Sequence, residues 1–97
     1  MGLKLYYVYM MTNWTNSVLY IGVTGDLSRR VSEHISQEYS GFTQKYNLNK
    51  LVYFEEFLDI KQAISREKQL KGWNRSKKNE LISNFNVEWK NLAFNIL

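Results

Sequence analysis

Apolar and aromatic residues crowd into Leu5–Thr12 (LYYVYMMT) and Val18–Val23 (VLYIGV), with the polar run NWTNS at 13–17 between them. Tyr, Val and Ile favour a half-buried pleated surface, while Asn and Ser favour turns. The stretch therefore predicts a β-hairpin with a loop of about five or six residues. In "TGDL", Gly25 breaks the pattern and Asp26 is placed to cap a helix over about 27–38. The helical period puts Leu27, Val31, His34 and Ile35 on one stripe. Residues 39–49 predict a loop with a short helical turn, and KLVYFEEF at 50–57 predicts a third strand. Asp59 and Gln62 resemble a capping box for a helix ending at Gly72, a residue suited to the position after a helix. A last helix over about 75–84 offers Leu81 and Ile82 as apolar contacts, and Trp89, Leu92, Phe94 and Ile96 predict a packed tail. The order β-β-α-β-α-α predicts an α/β (α+β) domain, a small three-stranded mixed or antiparallel sheet flanked by helices.

Composition narrows the function classes. At 97 residues the chain has room for one core, so residues 1–97 read as a single domain. With no Cys there is no disulfide, thiolate metal site or cysteine nucleophile, and one histidine cannot build a His-rich zinc site. The sequence has neither a membrane-length apolar run nor a signal-peptide pattern, which predicts a cytoplasmic protein of bacterial type that does not engage a membrane.

The formal charge is only +4, but it is unevenly placed. Lys61, Arg66, Lys68, Lys71, Arg75, Lys77 and Lys78 stand against a single acid, Glu67, while the rest of the chain is slightly acidic. Such density fits either a polyanion partner or a solvated helical face.

Two residues break the apolar pattern. On the helix over 60–71, Ile60, Ala63, Ile64 and Leu70 form a stripe with Glu67 in its middle. A carboxylate there is costly unless paired, protonated or bound to a cation. An ion pair with Arg30 or a neighbouring lysine is one resolution; ligation of Mg²⁺ or Mn²⁺ is the other. His34 faces inward on its own helix with Arg30 one turn earlier. Alone, such a histidine is more often a packing residue than a catalyst, and such an arginine more often a surface charge.

Several features then line up. Tyr7-Val8-Tyr9, ten intervening residues and Tyr20-Ile21-Gly22 resemble the paired signature of the GIY-YIG endonuclease superfamily. Arg30 and His34 match that family's helix arginine and its His/Tyr position. Glu67 in REKQLKGW matches the metal-binding glutamate of the small stand-alone bacterial branch. The similarity runs over about residues 5–90. Tyr7 replaces the first Gly, Val23 stands where some repair-nuclease relatives carry lysine, and Asn74, Asn79 and Asn86 all compete for the family asparagine.

The resemblance implies a metal-dependent endonuclease acting on DNA phosphodiesters, with Tyr9 as general base, Tyr20 assisting it, His34 relaying a proton and Arg30 stabilising the phosphate. Glu67 would hold one Mg²⁺ or Mn²⁺ ion. With two aspartates and no carboxylate cluster, the chain is poorly supplied for a two-metal site. Tyrosine ordinarily titrates near pH ~10, so a cation such as Arg30 is expected to lower Tyr9. Lys45, Lys68, Lys71, Arg75, Lys77 and Lys78 are the candidate phosphate contacts, with Lys50 extending the surface. So small a footprint calls for a protein partner or a second copy of the chain to supply specificity. The rival readings are a non-catalytic nucleic-acid-binding module on the same fold and an interaction adaptor using the NWTNS turn and the aromatic tail.

Overall fold

The computed structural model describes residues 3–36 and 45–97. The predicted loop over 39–49 and the end of the first predicted helix fall partly outside them.

Strand β1 spans Tyr6–Thr12, β2 Leu19–Thr24 and β3 Lys50–Phe57. All pairing is antiparallel, in the order β2-β1-β3, so β1 is central. Helix α1 covers Leu27–Ile35, α2 Ile60–Lys71 and α3 Arg75–Phe85, and a 3₁₀ turn covers Leu92–Asn95. This is the predicted α+β order, with the sheet fully antiparallel.

Period-two alternation along β1 divides the core into two layers. Val8 and Met10 point to one face, where Ile21 and Val52 meet Ala63 and Leu70 of α2 and Ile82 of α3. Tyr9 and Met11 point to the other, against Leu27 and Val31 of α1, Leu48, Leu51 and Ala93. A register shift between Met10 and Met11 lets β3 bulge at Val52, whose carbonyl accepts a hydrogen bond from Asn86 Nδ2 at 3.1 Å.

Caps follow the sequence in part. Asp26 accepts from the Arg29 N–H at 3.1 Å and Asp59 from the Lys61 N–H at 2.9 Å. Gln62 is exposed and does not close the expected box. Gly72 ends α2 at φ −79°, in the right-handed region, so its freedom for positive φ is unused. The hairpin turn is tied by Asn13 Oδ1, which accepts from the N–H groups of Ser17 and Val18. Arg75 of α3 clamps it from outside, donating to the Ser17 and Asn16 carbonyls.

Three expectations about burial are corrected. In α2 the buried line runs Ala63–Leu70, while Ile60 and Ile64 are each 37% exposed. The helix is rotated toward Arg66, which is held to Glu55 of β3 by a bidentate pair. Phe94 is exposed and Ala93 is the buried residue of the tail. Lys50, expected on the surface, is only 6% exposed. It opens the β3 ladder opposite Thr12 of the central strand, with its ammonium 5.8 Å from the Trp14 ring centre.

Candidate active site

The site begins with a glycine. Tyr9 on β1 lies opposite Gly22 on β2, and a Cβ at Gly22 would stand 2.6 Å from the Tyr9 hydroxyl oxygen and 2.7 Å from Cζ. Only a bare backbone lets the Tyr9 ring lie across its neighbour strand. The glycine is thus part of the site, a role that its place in "YIG" marks but that only the register explains.

The ring so placed is 1% exposed and reaches α1, where the Tyr9 hydroxyl and His34 Nε2 are 3.0 Å apart. Tyr20 completes a triangle of rings, with centroids 6.1 Å from Tyr9 and 5.4 Å from His34. Asp26 sets the start of α1 and Val31 anchors it to the sheet, fixing where His34 and Arg30 project. Arg30 is held toward Glu33 at 3.6 Å.

Electrostatics correct one expectation. Arg30 does pull Tyr9 downward, but burial pushes the hydroxyl up by more, with the Tyr20 hydroxyl adding to the rise, so Tyr9 stays protonated well above its ordinary range. His34 moves the other way: burial, then Arg30, lower it from 6.5 to about 4, against an opposing pull from Glu33. At neutral pH the pair is an uncharged phenol beside an uncharged imidazole.

Glu67 belongs to the other layer, on α2. Its carboxylate, 15% exposed, pairs with Lys71 at 3.2 Å. Of the two resolutions open to a carboxylate on that stripe, an ion pair with a neighbouring lysine is present. Lys71 also lines a groove of about 250 Å³ with Leu19, Tyr20, Ile21 and Lys78. The two halves therefore meet across the edge strand β2, with Tyr20 common to both.

The remaining basic residues separate. Lys71 and Lys78 reach the groove. Lys68 is exposed at the end of α2. Lys77 lies 4.2 Å from the Trp73 ring centre, and Arg75 is engaged with the hairpin turn and Asn79. Lys45, before β3, lies 5.4 Å from the Tyr46 ring centre. Among the three asparagines, Asn86 is committed to Val52, and to Lys90 through both its amide and its carbonyl. Asn74 caps α3 through the Lys77 N–H. Asn79, one residue beyond Lys78, carries no such backbone duty; its oxygen accepts from Arg75 Nε.

Among the described residues no three His, Cys, Asp or Glu side chains gather. The donor set suits at most a hard cation held by Glu67 and otherwise by water and substrate oxygens, a coordination Mg²⁺ accepts.

An antiparallel sheet that presents paired tyrosines to a helix-borne histidine and arginine defines a class of catalytic domain, and the comparisons name it. The family model for the GIY-YIG catalytic domain matches residues 5–80, and the chain belongs to this family, a family of nucleases. The chain is similar to a UPF0213 protein of Haloquadratum walsbyi, 38% identical over 76 residues (78% of this chain, 84% of the relative). It is also similar to one of Clostridium perfringens, 35% identical over 85 residues (88% and 90%). The solution NMR structure of a UPF0213 protein from Bacillus halodurans matches with TM-score 0.52 and 30% identity, covering 81% of this chain and 83% of that one. No helix among the described residues is long and apolar enough to cross a membrane.

Proposed function

We propose that the protein is an endonuclease hydrolysing phosphodiester bonds in DNA, acting in the cytoplasm in repair or recombination of DNA. The observation that carries this reading is the 3.0 Å contact between the Tyr9 hydroxyl and an uncharged His34. A phenol held protonated by burial is a poor free base, but it is a good relay. With the imidazole proton on Nδ1, the Tyr9 O–H donates to His34 Nε2. As water attacks phosphorus, its proton passes to the Tyr9 oxygen while the Tyr9 proton passes to Nε2. Tyr9 is neutral before and after, so burial does not oppose the transfer. The P–O bond to the leaving nucleotide then breaks, its oxygen leaving with the bonding pair and taking a proton from solvent, to which His34 returns its own. Tyr20, within the same ring cluster, orients the water.

Arg30 contributes twice. Its planar fork suits a phosphate oxygen that gains charge during attack. A phosphate bound there also offsets the positive charge that now depresses His34, so substrate makes the imidazole a better acceptor. Lys71 and Lys78 would hold the backbone along the groove beside Tyr20, and Asn79 is the asparagine placed to add a phosphate contact. Glu67 is the residue that would hold one Mg²⁺ or Mn²⁺, exchanging the Lys71 ammonium for the ion. Such an ion supplies Lewis-acid stabilisation of the phosphate and the leaving oxygen.

The test is cleavage of labelled single-stranded, duplex and branched DNA with and without Mg²⁺ or Mn²⁺, beside Glu67→Ala. Metal-dependent cutting that the variant loses is the expected result. No cutting of any substrate, with binding intact in both proteins, would instead support the non-catalytic module.

A further inference from the structure

A second cavity, of about 300 Å³, opens at the other end of the hairpin from the β2–α1 turn. Trp14, Ile35, Asn49, Ala93, Phe94 and Leu97 line it. Its walls are largely apolar, but three features are not those of a plain packing defect. The indole of Trp14 is 68% exposed on the hairpin turn. Asn49 Oδ1 is buried and accepts no hydrogen bond among the described residues. Beside the cavity, the ammonium of Lys50, a residue only 6% exposed, sits near one face of the Trp14 ring with no carboxylate partner among the described residues.

We propose that this cavity takes a single unpaired base of a nucleic-acid strand, stacked on Trp14, with Asn49 accepting a hydrogen bond from the base edge and Lys50 meeting its phosphate. Each polar feature then gains its complement: a π-face for the indole, an in-plane N–H for the amide oxygen, an anion for the ammonium. An apolar peptide side chain would fill the walls but leave Asn49 and Lys50 unanswered. The volume lies at the lower limit of ligand pockets, roughly 300 Å³, which suits one flat ring system and excludes a base pair.

Placement ties the cavity to the reacting centre, and in this the proposal rests on the nuclease reading. Ile35 directly follows His34 on α1. Lys50 pairs with Thr12, three residues along β1 from Tyr9, a span of about 10 Å at the usual strand rise. A strand with its phosphodiester at Tyr9 and His34 can therefore place a nearby nucleotide here only if that nucleotide is unpaired. The substrate class that follows is single-stranded or locally opened nucleic acid rather than intact duplex.

The test is binding under chelation, where no cleavage is needed. Thymidine 5′-monophosphate, the single strand (dT)₈ and a blunt duplex are titrated into the full chain and followed by two-dimensional NMR. The mononucleotide and the single strand are expected to shift the Trp14 indole N–H, the Asn49 side-chain amide and Ala93, while the duplex leaves them in place. Trp14→Ala, at an exposed turn position, and Lys50→Met are each expected to weaken (dT)₈ binding roughly tenfold. The proposal is overturned if (dT)₈ binds without moving those resonances, or if both variants bind within about twofold of the parent. Shifts there with indole-3-acetate but with no nucleotide would also overturn it, assigning the cavity to a protein partner. Failure of the nuclease reading shows separately, as absence of metal-dependent cutting while these shifts persist.

Discussion

Two buried tyrosines of neighbouring strands each share a hydrogen bond with a proton acceptor, and they do different things. Tyr9 meets His34 on the α1 side of the sheet. Tyr53 donates to Glu55 on β3 at the opposite edge. Burial pushes both hydroxyls well above their ordinary range. A raised pKa is therefore no mark of a reacting tyrosine. The difference lies in the acceptor. Glu55 is already neutralised by the Arg66 guanidinium, donated through Nε and Nη2, and Arg66 itself lies over Trp73. That chain is closed, with each charge matched within the fold. His34 is uncharged at neutral pH and has room for a proton, and its neighbour Arg30 keeps a third of its side chain exposed. One cluster is a brace across the sheet edge, and in the proposed reaction the other supplies the acceptor for a proton.

The sharpest way to break this comparison is to remove the two hydroxyls in turn. Tyr9→Phe is expected to lower cleavage by about 10²–10⁴-fold, the usual scale of general acid–base catalysis, with salt-dependent DNA binding retained. Tyr53→Phe should leave cleavage within about twofold and lower stability by about 1 kcal/mol, since it removes one hydrogen bond. Single-turnover cleavage and urea unfolding of both variants decide it. If the two lose cleavage equally, the relay has no special claim on Tyr9.

The next change moves Tyr9 without altering it. Gly22→Ala sets a methyl group 2.6 Å from the Tyr9 hydroxyl oxygen and 2.7 Å from Cζ. The Tyr9 ring is packed between β2 and α1, so the ring must shift or the strands must part. Overpacking of this kind costs about 1–3 kcal/mol. Cleavage should fall by at least about tenfold, because a proton transfer depends on contact distance. A variant as active and as stable as the parent would show that Tyr9 need not lie across Gly22.

On the brace, Arg66→Ala leaves the Glu55 carboxylate half-buried without its guanidinium. The expected loss is about 1–2 kcal/mol of stability in urea melts, discounted for the partial exposure of both side chains. Cleavage should not change. A fall in cleavage at full occupancy of the folded state would link the two clusters and remove the distinction between them.

How far these contrasts could be read from the sequence depends on which force set each feature. Strands, helices and their order follow from local periodicity and caps, and they stand within a residue or two where the structure describes them. Tyr9, Tyr20, Arg30 and His34 were grouped by the resemblance to the GIY-YIG signature, because spacing alone left His34 open to a packing role and Arg30 to a surface one. Glu67 was visible because a carboxylate on an apolar line is costly, although its pairing with Lys71 was one of two open outcomes. What could not be read were effects of register and desolvation. The closeness of Gly22 to Tyr9 needs the strand pairing. The net rise of Tyr9 needs the balance of burial against Arg30, which charge proximity alone assigns the wrong sign. Lys50 looked like a surface cation because the Trp14 ring beside it comes from the hairpin turn, far from it in sequence.

The smallest effect tests the electrical half of the comparison. Burial and Arg30 both depress His34, from 6.5 to about 4, so removing Arg30 should recover only part of the shift. In Arg30→Gln the His34 titration followed by NMR is expected to lie between those two values, and adding inorganic phosphate to the parent should move it in the same direction. Stability carries the same signature. Because the folded-state pKa is depressed, the unfolded chain takes up the proton first as pH falls. The neutral imidazole therefore contributes its full stability above about 6.5, and this is lost progressively as pH falls toward about 4. Urea midpoints of the parent should drop across that window more steeply than those of His34→Gln, with Arg30→Gln between them. Equal slopes in parent and His34→Gln would mean that folding leaves the His34 titration where it is in the unfolded chain, and neither burial nor Arg30 would then set its charge.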